Sequence, residues 1–217
     1  METIIPTRND YKQLPKILAV LDTTVQITRV YVIDNGSASR ISKRIRHICG
    51  SSEKARYLVC RIKGKGIAIK KALSVVTEDV LFLDADIENL TKATIQKLID
   101  GLNQGSDLVK ADISRKNGQS NSSFILERMR ELFPKLTINR PTCGIYCIRH
   151  DLLKRIKLPL SWSVDLSVLI QSHLLGARIS EVNIGEIIDK PRSQTSLMHS
   201  RICLERELEV LQHVTGR

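Results

Sequence analysis

Residues 80–90, VLFLDADIENL, decide how the rest of the chain is read. Four apolar residues run without a break into Asp84-Ala85-Asp86. A short continuous apolar run of this kind suits a strand buried on both faces, as in a parallel sheet covered by helices. Two carboxylates at its end would repel one another and would be poorly solvated. Continued extended backbone would point Asp84 and Asp86 to the same side. There they would be close enough to share one Mg²⁺ or Mn²⁺, directly or through water. The plain alternative is two surface acids at a strand end, with Asp86 capping the next helix.

Outward from this strand, the chain alternates strand and helix. ETIIPT (2–7) reads as a first strand. YKQLPKILAVLD (11–22) reads as a helix with Leu14, Ile17, Leu18 and Leu21 on one face. ITRVYVIDNGS (27–37) is a second strand closed by a turn-forming cluster. The helix over 39–49 spaces Ile41, Ile45 and Ile48 by four and three. ARYLVCRI (55–62) is a third strand, IAIKKALSVV (67–76) a helix, TKATIQKLIDGLNQ (91–104) another, and DLVKADIS (107–114) a further strand. This order predicts a parallel, doubly wound α/β sheet, whose ligands bind outside the carboxyl ends of the strands. Those ends carry Pro6 to Asp10, Asp34 to Ser37, Gly64 to Gly66 and Asp84 to Asp86, so four polar clusters are expected on one edge.

RKNGQSNSS (115–123) reads as a polar loop, followed by a helix FILERMRELFPKL. RPTCGIYCIRHDLLKRI reads as a strand leading to a helix. SWSVDLSVLIQSHLLG is an apolar helix with one acid, Asp165. ARISEVNIGEII is a late strand, and DKPRS a turn. The tail SLMHSRICLERELEVLQHV is amphipathic, with Leu197, Leu204, Leu208 and Leu211 on one side. The expected division is therefore a domain over 1–193 and a helix over 194–217 that packs on it or pairs with a second copy in a homodimer.

The 217 residues suffice for one sizeable domain, and 42% hydrophobic with 26% charged residues is ordinary for a globular protein. No apolar run approaches the roughly 18 residues of a membrane span, and the start lacks a basic leader and cleavage site. Five cysteines, an odd number, fit a reduced cytoplasmic chain. Cys143 and Cys147 lack the second pair a zinc site needs. The net charge of +11 points to an anionic partner. Basic residues are spread along the whole chain, aromatics are only 4%, and no nucleic-acid motif is present, so small anionic ligands are expected and nucleic acid is not.

Three further clusters bear on chemistry. Glycines on both sides of Lys65 let backbone approach a ligand closely, and lysine is a point charge suited to phosphate. The Walker spacing is absent, and a basic turn is the plain alternative. Asp34 at a strand end could accept from a pyrimidine N–H and Asp10 from ribose hydroxyls, or they could serve a turn and a helix cap. Asp165 sits in an apolar helix one turn beyond Trp162, where an acid is either paired with a base or functional. Beside an aromatic wall it suits sugar hydroxyls or general-base work.

In order, IPTRND, VIDNGS, GKGIAIKKAL, VLFLDADI, DLVKADISR, CGIYCIRHDLL, WSVDLSVLI and EVNIGEIIDKPRS resemble the nucleotide-sugar glycosyltransferases of the GT-A fold, family 2-like. The likeness is to glucosyl-3-phosphoglycerate synthases and mannosylglycerate-type synthases. It implies a mixed, mostly parallel sheet flanked by helices, a UDP- or GDP-sugar donor with UDP favoured, a divalent metal, a small anionic acceptor resembling glycerate or phosphoglycerate, and transfer with retention. It further implies a donor site of Pro6, Thr7, Arg8, Asp10, Asp34, Asn35, Gly36, Ser37, Gly64, Lys65, Asp84, Ala85 and Asp165. Asp86 and Asp84 would ligate the metal, with Asp189 where those synthases have histidine. Lys65 would meet the diphosphate, and Asp165 hydroxyls of the transferred sugar. NGQSNSSF stands where those synthases carry a glycine-rich, arginine-containing acceptor stretch. Two other readings stay open: a nucleotidyltransferase, although PTRNDYKQLPK lacks the glycine-rich loop it wants, and a non-catalytic nucleotide-sugar-binding protein.

Overall fold

The computed structural model describes residues 1–115, 121–191 and 193–214. Its elements run β1 (Glu2–Thr7), α1 (Leu14–Asp22), β2 (Arg29–Asp34), α2 (Ser39–Gly50), β3 (Ala55–Val59), α3 (Lys65–Leu73), β4 (Val80–Phe82) and α4 (Lys92–Asn103). They continue with β5 (Leu108–Arg115), α5 (Asn121–Leu132), β6 (Tyr146–Ile148), α6 (His150–Arg155), α7 (Val164–Leu174), β7 (Ile179–Ile187) and α8 (Gln194–Val214). The seven strands make one sheet in the order β3-β2-β1-β4-β6-β5-β7. All neighbours are parallel except β6, which runs antiparallel to both β4 and β5. The mixed, mostly parallel α/β sheet expected of the chain is the one observed.

Period-two alternation sorts the strand residues onto two faces. Ile5, Val30, Val32, Leu81, Val109 and Cys147 pack with α1, α2 and α4. Ile4, Tyr31, Ile33, Val80, Phe82, Leu108 and Tyr146 pack with α3, α5, α7 and α8. Helix α1 buries the four residues its spacing marked, with Pro15 in the first turn, where its missing N–H costs nothing. Helix α4 is capped by Thr91, whose hydroxyl accepts from Thr94 N at 3.1 Å. Asp86 is therefore not the cap.

Several expected boundaries shift. Residues 121–123, read as loop, open helix α5, where Asn121 and Ser122 are buried; residues 116–120 of that stretch lie outside the described residues. The strand read through Asp86 stops at Phe82, and Ala85-Asp86 form a turn, so simple alternation does not govern the two acids. The tail helix packs on its own chain: Leu204, Leu208 and Leu211 join the core that holds α7, while Leu197 is half-buried. Among the described residues no helix is long and apolar enough to cross a membrane.

Candidate active site

The carboxyl ends of β1, β2 and β4 open into a cleft of about 910 Å³. Of the residues expected there, Pro6, Thr7, Arg8, Asp10, Asn35, Gly64, Lys65, Asp84, Ala85 and Asp86 line it. Trp162 with its neighbours Leu160 and Ser161, and Lys190 with Ser196 and His199, close the far side. A second hollow of about 1040 Å³ opens at the opposite edge, around Glu78, Asp79 and Arg149. There the Arg149 guanidinium is paired with Asp79 at 2.7 Å. That edge lies at the amino ends of the strands, where open α/β sheets do not place ligands.

Asp34, Gly36 and Ser37 support the cleft without lining it. Asp34 is buried; its Oδ1 accepts from Ser37 N at 2.9 Å, and its Oδ2 from Ser42 Oγ at 2.5 Å and Tyr57 Oη at 2.9 Å. Burial would push this carboxyl up, but those donors outweigh it and hold it below the ordinary value, and the same contact helps burial push Tyr57 up to about 12. Gly36 turns the chain at φ +75°, a conformation that disfavours a side chain. These three make the turn that presents Asn35 to the cleft. Asn35 in turn accepts from Gly64 N at 2.7 Å and donates to Ile62 O at 2.6 Å, tying the loop before α3 to the end of β2. Ser37 Oγ accepts from Asn9 N at 2.8 Å, and the Thr7 hydroxyl donates to Asp10 O.

The two glycines around Lys65 make room for protein. A Cβ on Gly66 would sit 1.8 Å from Pro159 O, and one on Gly64 2.4 Å from Leu160 O. Gly66 N also donates to Ser161 O at 3.1 Å. The 159–161 backbone lies where the sequence placed a ligand. Lys65 itself is clamped: its Nζ donates to Asp84 Oδ1 at 2.9 Å and to Asp165 Oδ2 at 2.6 Å, 5.7 Å from the Trp162 ring centre. Burial pulls the Lys65 ammonium down, but Asp165 and then Asp84 outweigh it and hold it above the ordinary lysine value. Burial pushes Asp165 up, with Asp84 acting the same way against Lys65 and Lys110. Gly144 lies directly under Asp84, where a Cβ would stand 2.5 Å from its Oδ2. Asp165 does not line the cleft; it lies beneath Lys65, and of the two readings of it the structure shows the ion pair.

Asp86 lines the cleft, but Asp189 does not. Asp189 pairs with Arg115 at the end of β5, and the next residue, Lys190, enters the cleft instead, 2.8 Å from Asp10 Oδ1. The sequence pointed to this loop through Asp189, and the structure adds Lys190 beside it. Among the described residues, no group of three or more His, Cys, Asp or Glu side chains could hold a metal ion. Two cleft carboxylates, Asp84 and Asp86, are nevertheless the hard oxygen donors that Mg²⁺ uses when substrate phosphates and water complete its shell. The residues present therefore fit such an ion. Lys63, His199 and Cys203 also line the cleft; nothing in the spacing around them marked them, because they come from a loop tip and from a helix face.

Comparison with known proteins agrees with this geometry. The fold is that of the glucosyl-3-phosphoglycerate synthase from Mycobacterium tuberculosis. A crystal structure of that enzyme in complex with phosphoglyceric acid superposes with a TM-score of 0.87 at 21% identity, over 98% of this chain and 79% of that one. A second, in complex with Mn²⁺, UDP-glucose and phosphoglyceric acid, gives 0.85 at 21% identity over 98% and 79%. The dolichyl-phosphate hexose transferase of Haloferax volcanii is 22% identical over 192 residues, covering 85% of this chain and 81% of that protein. Residues 3–154 match the family described as Glycosyl transferase family 2, and the chain belongs to that family.

Proposed function

We propose that the protein transfers a hexose from a nucleoside-diphosphate sugar, with UDP the favoured nucleotide, to an acceptor that carries a phosphate, and does so with retention at the anomeric carbon. The observation that carries this reading is the array at the cleft floor, Asp84–Lys65–Asp165 with Asp86 beside it. Asp86 and Asp84 would hold Mg²⁺ or Mn²⁺, which when bound neutralises charge on the donor's diphosphate. Pro6, Thr7, Asn35 and Asp10 would face the nucleoside. Lys65 adds a fixed positive charge beneath the leaving diphosphate, electrostatic stabilisation that costs no reorganisation during reaction.

Asp165 bears on the stereochemistry. One of its oxygens is bound to Lys65 and the other is buried, with the Tyr146 hydroxyl as its neighbour. A carboxylate tied to Lys65 beneath the cleft is poorly placed to take a proton from an acceptor hydroxyl, which supports a course that needs no base there. An inverting course would require a base there; a retaining one would not. Both similar proteins have phosphate-bearing acceptors in their names or complexes, phosphoglyceric acid and dolichyl phosphate. Arg8, Lys63 and Lys190 line this cleft, which suits that chemistry. If α8 pairs two copies, it would have to use its outer row, Met198, Ile202 and Val210, all exposed; monomer mass by light scattering would remove that arrangement.

The test is thermal melting with UDP, GDP, ADP or CDP, with and without Mn²⁺, on wild type and Asp86→Ala. Binding to the native state alone raises Tm by mass action. A Mn²⁺-dependent rise with UDP that is absent in the variant is expected; no rise with any nucleotide would end the proposal. Turnover of UDP-glucose with phosphoglycerate or with a short polyprenyl phosphate then separates the two acceptor sources. Release of UDP is expected, whereas pyrophosphate release from a nucleoside triphosphate would mark a nucleotidyltransferase, and binding without turnover a non-catalytic protein.

A further inference from the structure

Lys110 lies in the middle of β5 and is fully buried, at 0% exposure. A lysine is almost never left in that state without a counter-charge. Its Nζ donates to Cys143 O at 2.5 Å and stands 4.4 Å from the centre of the Tyr146 ring. Neither contact is an anion. The strand register puts Phe82, Tyr146, Lys110 and Glu181 in one row across β4, β6, β5 and β7. Phe82 and Tyr146 belong to the core face on which helix α7 packs.

The acid on α7 is Asp165, and its own account does not close. Its one direct cation, Lys65, is shared with Asp84. Its Oδ1 and the Tyr146 hydroxyl are both buried and lie beside one another as a hydrogen-bonding pair of imperfect geometry, and Lys110 attracts Asp165 without a direct ion pair. The charged or titratable groups acting on Asp165 are Lys65 from α3, Asp84 after β4, Lys110 from β5 and Tyr146 from β6. Burial pulls the Lys110 ammonium down and Lys65 acts the same way, against Cys143, Asp165 and Glu181. One buried cation cannot neutralise two carboxylates; two can.

We infer that Lys110 is the second counter-charge of Asp165 and a positioning residue of the active site. It completes a buried chain of alternating sign, Asp84, Lys65, Asp165 and Lys110, and leaves Lys65 free to be held by both acids at once. Through the Cys143 carbonyl it also fixes the segment whose next residue, Gly144, forms the seat of Asp84. With Lys110 neutral, Asp165 would draw Lys65 away from Asp84, and the cleft carboxylate would lose its fixed position.

The test is a double-mutant cycle of thermal stability on the full chain: wild type, Lys110→Met, Asp165→Asn and the double variant. Removing one member of a buried pair strands the other charge, so Lys110→Met is expected to lower Tm by about 10 °C. The same change made in Asp165→Asn should lower it by less than about half as much. Additive losses would overturn the inference. If Lys110→Met alone fails to fold, the cycle still decides: a folded double variant supports the pairing, and a double variant that fails while Asp165→Asn folds refutes it. This readout needs no substrate, so it stands apart from the proposed reaction. The positioning role rests on that reaction and is checked by kinetics. Lys110→Met should lose at least about ten-fold in kcat with donor KM within about two-fold, and Lys110→Arg should recover part of it. An unchanged kcat, or equal losses in binding and turnover, would limit Lys110 to the scaffold.

Discussion

Asp34 shows how much a single residue's setting decides. Its carboxylate is held below its ordinary value by three donors that outweigh the opposing effect of burial. A depressed folded value means that its stabilising contribution is full above the ordinary carboxylate pKa of about 4 and is lost as pH falls through the lower folded value. Asp34→Asn should therefore be less stable than wild type at pH 7, with the gap narrowing below about pH 4 in denaturant titrations. Glycine 66 gives a second residue-scale case. Alanine is normally better than glycine inside a helix by about 1 kcal/mol, but here the added carbon meets backbone at 1.8 Å. Gly66→Ala should cost at least about 2 kcal/mol, whereas Gly50→Ala, with nothing within 4 Å, should be neutral or slightly stabilising. The sequence showed Lys65 flanked by glycines and could not show what came close to them, because residues 159–161 are remote in the chain. Lys110 was legible in principle: in LVKADIS it occupies the same row as Leu108, an inward position where a lysine is out of place.

At the level of elements, the apolar patterns carried most of the architecture. Helix faces such as Leu14, Ile17, Leu18 and Leu21 were marked by spacing and are buried as marked. What spacing could not give was direction: YCI in β6 is three residues long and reads the same whether it pairs parallel or antiparallel. Nor could it say that a polar stretch beginning at Asn121 is the buried first turn of α5, since Asn121 and Ser122 find their partners on α8 and in the loop before β6, Ser200 and Thr142. Helix α8 is tied in the same way through its leucines. Leu204→Ala and Leu208→Ala should each cost about 2–5 kcal/mol, while Met198→Ser, on the exposed face, should stay within about 0.5 kcal/mol. Equal, small effects from all three in urea unfolding would mean that the helix is a loosely attached tail.

For the molecule as a whole, the net charge of +11 is a long-range attraction for any anionic donor or acceptor. Such attraction is screened by salt, but buried pairs much less so. Calorimetric affinity for the favoured nucleoside diphosphate with Mn²⁺ should fall several-fold between about 0.05 and 0.5 M salt, while Tm changes little. The single antiparallel strand has a consequence for assembly. β4 and β5 follow one another in the chain but are not neighbours; β6 must slot between them. Strands β1 to β4 can pair as the chain grows, through local crossovers. The gap beside β4 is filled only after residue 148 has been synthesised, and β6 brings with it Tyr146 and the approach to Gly144. The cleft floor thus closes only after the first four strands are in place, and a nascent chain of a little over 100 residues would hold the loops after β1, β2 and β3 without the seat that fixes Asp84.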